Sequence, residues 1–142
     1  MPERSWMNNL VYTDTNIFLR YLTSEPADLA EKVSGFFNKM ESGIYKLFVC
    51  DMVISELVYV LEKVFELPKK EINEKIKALM LKKNIIMENK KIIFKSLDVY
   101  RDHNVNFVDA YIHCHLSGRR VNRVFSFDEH FKKFEDIEIM PE

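Results

Sequence analysis

Short apolar runs alternate along this chain with longer segments of helical spacing, and this alternation restricts the fold more than any other feature. Leu10–Asp14 reads as a buried strand that closes on a carboxylate. Ile17, Phe18, Tyr21 and Leu22 follow at helical spacing. A second helix runs from Pro26 to about Glu41, with Ser24 as its expected cap and Gly43 as its stop. Tyr45–Cys50 reads as the next strand. Asp51 is expected to cap the helix after it, whose apolar positions are Val53, Leu57, Val60, Leu61 and Val64. Pro68 opens a helix with Ile72, Ile76, Leu79 and Met80 on one face. Ile85–Met87 is a short strand, and Asn89 caps a helix carrying Ile93, Leu97 and Tyr100. Asn106 precedes a helix from Phe107 to Leu116, closed by Gly118. Asn122–Phe127 and Glu138–Met140 are the last strands. Strands alternating with helices indicate an α/β fold with a mainly parallel central sheet.

The 142 residues fit one domain, and a hydrophobic content of 47% supplies a core. With 3 Gly and 4 Pro, no glycine-rich phosphate loop occurs. Two cysteines, Cys50 and Cys114, make no disulfide framework. No apolar run approaches the ~18 residues of a membrane helix. Residues 1–8, which lack an apolar signal core, are expected to be a flexible N-terminal extension of a cytoplasmic protein. The net charge of -1 is unevenly spread: Lys69 to Arg101 carries ten basic and four acidic residues, between two acidic ends. Such a stripe fits a crossing polyanion, and equally a pair of solvated helices.

Acids inside apolar runs are costly to bury and therefore informative. Asp14, Glu56, Asp109 and Asp128 all sit in such company. Asp51, Asp98 and Glu138 pass the same filter loosely. Asp14 and Asp128 close predicted strands, while Glu56 and Asp109 lie in the first turns of predicted helices. In a parallel sheet these positions share one edge, where ligands bind. Singly, Asp14 also reads as a turn residue, Glu56 as a snorkelling residue at a helix edge, Asp109 as a helix-start acid and Asp128 as a cap. Together they would repel strongly unless a hard divalent cation, Mg²⁺ or Mn²⁺, were bound among them. Such a site suits phosphodiester hydrolysis by an activated water.

These residues resemble the PIN-domain nucleases, especially the compact toxins of the VapBC toxin–antitoxin type. Thr13-Asp14-Thr15-Asn16-Ile17-Phe18 is similar to the family's first acidic motif, and Ile54-Ser55-Glu56-Leu57 to the second. Phe107-Val108-Asp109-Ala110 is similar to the third, and Phe125-Ser126-Phe127-Asp128 to the fourth. The resemblance covers nearly the whole chain, so residues 1–142 read as a single PIN-like domain. It implies a three-layer α/β/α sandwich, Mg²⁺ or Mn²⁺ dependence and cleavage of single-stranded RNA. Asp14, Glu56, Asp109 and Asp128 are then the catalytic metal ligands, with Asn16 and Ser126 orienting them. It also implies a homodimer and a small antitoxin protein as partner. RNA-processing nucleases and non-catalytic binding modules share the family.

RNA affinity should come from lysines and arginines. The helices between Lys69 and Arg101 are candidates, as are Lys132 and Lys133 on the active edge. Arg119, Arg120 and Arg123 precede a strand, which places them at the opposite end. Tyr111 and Phe131 could stack a base, but their spacing favours the core. His113, Cys114 and His115 are adjacent on a helix and cannot all face one zinc ion. No G-x-S-x-G elbow exists for a serine hydrolase. A phosphatase or receiver site with D-x-D after the first strand is disfavoured by Asn16 at the second D position.

Overall fold

The computed structural model describes residues 9–141. The expected N-terminal extension, residues 1–8, lies outside the described residues. The order is β1 (Leu10–Tyr12), α1 (Thr15–Thr23), α2 (Ala27–Glu41), β2 (Lys46–Val49), α3 (Asp51–Lys63), α4 (Lys69–Met80), β3 (Ile85–Met87), α5 (Lys90–Asp102), α6 (Phe107–Gly118), β4 (Arg123–Phe125), a 3-10 turn (Glu129–Lys133) and β5 (Glu138–Met140). Among the described residues, no helix is long and apolar enough to cross a membrane.

Every strand pair is parallel, as the alternation with helices requires. β2 lies between β1 and β3, with Leu10 opposite Lys46 and Leu47 opposite Ile85. The sheet is not one continuous ladder. β4 and β5 form a separate pair, with Arg123 opposite Glu138 and Phe125 opposite Met140. The helices enclose the strands as an α/β sandwich: α1 packs on α2, α5 on α6, and α3 touches α1, α4 and α6.

The core is built by the apolar stripes of these helices against β2. Phe18, Met40, Leu47, Ile54, Leu57, Ile72, Ile76, Ile93, Leu97 and Tyr100 are fully buried. Each such side chain contributes roughly 1.5–3 kcal/mol of transfer free energy. Tyr21 stacks on Phe37 at 4.2 Å between ring centroids, joining α1 to α2. The face of α4 is the expected one, with Asn73 added to it. On α3 the buried positions are Val53, Ile54, Leu57, Val58 and Leu61. Val64 is 67% exposed because the helix ends at Lys63, before the stripe would return to the core.

Two expected caps are corrected. Ser24 ends α1 instead of starting α2: it adopts φ 58° and its backbone N–H donates to the Arg20 carbonyl at 2.8 Å. Pro26 occupies the cap position of α2, where its fixed φ fits and its lack of an N–H costs nothing. Asp51 is the first residue of α3, after Cys50, and its carboxylate caps nothing. Its Oδ2 instead accepts hydrogen bonds from Asn89 Nδ2 (2.9 Å) and the Tyr111 hydroxyl (2.7 Å), tying the starts of α3 and α5 to α6. Burial and this bond to Asp51 push the Tyr111 hydroxyl up to about 12.

Candidate active site

Asp14 follows β1 and caps α1, its Oδ1 accepting from the Ile17 N–H at 3.4 Å. Glu56 lies in the second turn of α3, and its Oε2 accepts from the Thr15 hydroxyl at 3.0 Å. Both acids line a cavity of about 500 Å³ whose wall includes Tyr12, Met52, Tyr59 and Val108. Val108 is the residue before Asp109, so the cavity reaches the start of α6.

Asp109 is held by the local chemistry of that helix start. The Asn106 side chain accepts from the Asp109 N–H at 2.8 Å, which fixes the first turn. The Asp109 side chain is only 9% exposed, and its Oδ2 is buried without a hydrogen bond. Burial is the largest influence on its carboxyl and pushes it above the usual range. His130 opposes that shift and the charge of Asp128 adds to it.

Asp128 follows β4 and caps the 3-10 turn. Its Oδ1 accepts from the His130 N–H at 2.9 Å, and its own N–H donates to the Ser126 hydroxyl oxygen at 2.9 Å. The turn carries the His130 ring back over both acids: Nδ1 lies 3.0 Å from Asp128 Oδ1 and 3.2 Å from Asp109 Oδ2. One ligand atom from each of Asp109, Asp128 and His130 lies within 4.8 Å of the others. Asp14 and Glu56 stand outside that group.

The four acids therefore fall into two groups: Asp14 and Glu56 line one cavity, and Asp109 and Asp128 cluster with His130. An orphaned, buried carboxylate oxygen facing a second carboxylate suits a hard cation, so the residues present fit a divalent metal. Ser126 orients Asp128 through its backbone. Asn16 makes no hydrogen bond to any of the four acids among the described residues and lines a different cavity beside Arg20 and Phe65. Thr15 is the neighbour that holds an acid.

The candidate RNA-binding lysines flank this site. Lys132 pairs with Glu129 at 2.8 Å, and Lys133 donates to the Asn104 carbonyl. In the basic stretch Lys77 pairs with Asp98, Lys82 with Glu41 and Arg101 with Asp102. Phe131 is buried, and Tyr111 is half-buried against the core with its hydroxyl bonded to Asp51. His113 bonds Asp136, Cys114 is buried and His115 stacks on Tyr111, so the three point apart. Arg123 pairs with Glu138 across the β4–β5 ladder. Sequence reasoning passed over Thr15, His130 and Tyr59. His130 stands two residues after Asp128, and Tyr59 three after Glu56 on one helix face; both spacings are visible in the chain.

These features define an α/β domain of parallel strands in which Asp14 and Asp128 follow strands and Glu56 and Asp109 lie in the first two turns of helices. The PIN domain family model matches residues 11–137, a span that contains all four acids, and the chain belongs to that family. It is also similar to the VapC ribonuclease of Aquifex aeolicus (strain VF5), with 28% identity over 120 residues, 84% of this chain and 88% of that protein.

Proposed function

We propose that this protein is a metal-dependent endoribonuclease that cleaves single-stranded RNA, and that it is the toxin of a toxin–antitoxin pair. The observation that carries the reading is Asp109 Oδ2: a buried carboxylate oxygen without a hydrogen bond, facing Asp128 and adjoining the wall that bears Asp14 and Glu56. Asp14, Glu56, Asp109 and Asp128 would hold Mg²⁺ or Mn²⁺. A bound cation would supply Lewis acidity toward a phosphodiester. The chain's own part is positioning. Thr15 orients Glu56, Asn106 fixes the turn that presents Asp109, and Ser126 fixes the turn that presents Asp128.

Substrate grip is assigned to groups around the cavity. Tyr12 and Tyr59 are 61% and 62% exposed there, and each offers a ring face to a base. Lys132 and Lys133 are exposed beside Asp128, and their present partners can be exchanged for phosphates. A small antitoxin protein and a second copy of the chain are the proposed partners. The toxin role is supported by the similarity to a VapC ribonuclease.

The test is cleavage of a labelled single-stranded RNA by purified protein with Mn²⁺ or Mg²⁺. Cleavage should vanish with EDTA and in Asp109→Asn. Equal cleavage by wild type and Asp109→Asn ends the nuclease reading. Growth arrest on expression of the intact chain, but not of Asp14→Ala, supports the toxin role; no arrest by either removes it.

A further inference from the structure

We propose that His130 is itself a metal ligand through Nδ1, so that Asp109, Asp128 and His130 form a mixed nitrogen–oxygen half-site that selects Mn²⁺ over Mg²⁺. This deepens the nuclease reading and rests on its divalent cation. Three atoms at this turn do not satisfy one another. His130 Nδ1 lies 3.0 Å from Asp128 Oδ1 and 3.2 Å from Asp109 Oδ2. A single ring nitrogen carries either one hydrogen or one lone pair, so it cannot serve two carboxylates in good geometry at once. Asp109 Oδ2 is left buried without a hydrogen bond.

The spacing is that of neighbouring ligands on one ion. Bonds of 2.0–2.1 Å in an octahedron put adjacent ligand atoms about 3 Å apart. The two nitrogen–oxygen distances match that edge.

The ring is delivered there by a built turn rather than by chance exposure. The His130 N–H is bound to Asp128 Oδ1, Asp128 is bound to Ser126, and buried Phe131 anchors the next position. The His130 side chain is 47% exposed, so its far edge meets water while Nδ1 turns inward.

The choice of ion follows from donor chemistry. Carboxylate oxygens suit Mg²⁺ and Mn²⁺ alike, whereas an imidazole nitrogen favours transition ions and gains little with Mg²⁺. A nitrogen donor therefore separates two ions that an all-carboxylate site holds similarly.

The experiment is electron paramagnetic resonance of Mn²⁺ titrated into the full chain, with pulsed measurement of nitrogen coupling and competition by Mg²⁺. Wild type should show ¹⁴N modulation that disappears in His130→Asn. The Mn²⁺ Kd should rise roughly tenfold or more in that variant, with the Mg²⁺ Kd moving much less. If His130→Asn does not fold, wild type grown with ¹⁵N-histidine decides, because a ligated ring changes the modulation. Bound Mn²⁺ without nitrogen coupling, or coupling that survives in folded His130→Asn, overturns this proposal and leaves the carboxylate nuclease standing. Absence of any Mn²⁺ or Mg²⁺ binding overturns both.

Discussion

The hydroxyl of Thr15 donates to Glu56 Oε2 at 3.0 Å, joining the first turn of α1 to the second turn of α3 across 41 positions of sequence. Thr15 is buried, while Glu56 is exposed to the cavity. The bond thus converts a swinging helix side chain into a fixed one. Thr15→Val keeps the shape and removes the donor. It should cost about 1 kcal/mol of stability and lower kcat roughly tenfold with little change in KM, the mark of a group that positions chemistry rather than binding. Thr15→Ser should restore both. Steady-state cleavage and urea melts check this.

Asp109 carries a burial cost that the proposed metal role would explain. Its carboxylate is buried beside the like charge of Asp128, and burial is what pushes its carboxyl upward. Asp109→Asn removes a charge and keeps the shape. In EDTA the variant should melt a few degrees higher, about 1 kcal/mol more stable, while losing RNA cleavage. Wild type should gain thermal stability on adding Mn²⁺ and Asp109→Asn should gain much less. A variant that melts lower than wild type in EDTA would mean that the carboxylate is a net structural asset.

Much of this architecture was legible in the chain. Ile85–Met87 and Glu138–Met140 are strands at the expected bounds, and Asp14 and Asp128 do follow strands. Local pattern sufficed there because strand ends and helix starts are marked by single residues. What depends on contacts distant in sequence was not legible. Asp51 looked like a cap because acids commonly are, yet its partners Asn89 and Tyr111 lie 38 and 60 positions away. The separation of β4–β5 from the other ladder is likewise a matter of how the layers meet, which no local pattern encodes. The family resemblance points to Asn16 as a residue that orients the acids, and nothing in the local pattern singles out Thr15. The helix start turns Thr15 toward Glu56 and Asn16 into another cavity.

Lys69 holds the loop that presents Asp109 from outside the site. Its Nζ donates to the Val105 carbonyl at 2.6 Å and the His103 carbonyl at 3.3 Å, and sits 4.5 Å from the centre of the Tyr100 ring. Burial lowers its pKa, with Glu62 opposing the shift. Lys69→Met keeps the apolar stem and abandons both carbonyls. It should cost about 1–2 kcal/mol and reduce cleavage several-fold, with hydrogen exchange rising first at Val105 to Asp109. Unchanged exchange there would show that Asn106 alone fixes the turn.

Asp98 gives the fold a sign-defined response to acid. It accepts from Asn73 Nδ2 at 3.1 Å and from Lys77, with Arg101 at 3.6 Å. Burial works to raise its pKa, but the bonds from Lys77 and Asn73 outweigh it and the carboxyl sits below its ordinary value. A depressed folded pKa contributes stability that is present above the unfolded value near 3.8 and is lost as pH falls through the folded one. The side chain is 42% exposed, so solvent screening holds the effect to about 0.5 kcal/mol. Wild type should therefore exceed Asp98→Asn by that amount at pH 7, and the two should converge as pH falls through the lowered folded pKa. Chemical denaturation across that range reads the difference, and a constant gap at all pH values would refute the linkage.

Tyr59 is the most direct test of how the cavity engages a substrate. Its ring is 62% exposed on the face of α3 that carries Glu56, and with Tyr12, Met52 and Val108 it surrounds the acids with apolar surface. A base stacked on such a ring is worth about 1–3 kcal/mol. Tyr59→Ala should therefore raise KM for single-stranded RNA roughly tenfold and leave kcat nearly unchanged, because the expected role of the ring is to bind a base and not to position an acid. Tyr59→Phe should behave as wild type, since stacking needs the ring and not the hydroxyl. The same exposed rim could instead be covered by a second copy of the chain. Size-exclusion chromatography with light scattering separates the two cases. A fall in assembly state that parallels the loss of activity in Tyr59→Ala would assign the ring to the dimer, whereas an unchanged assembly state with raised KM assigns it to RNA.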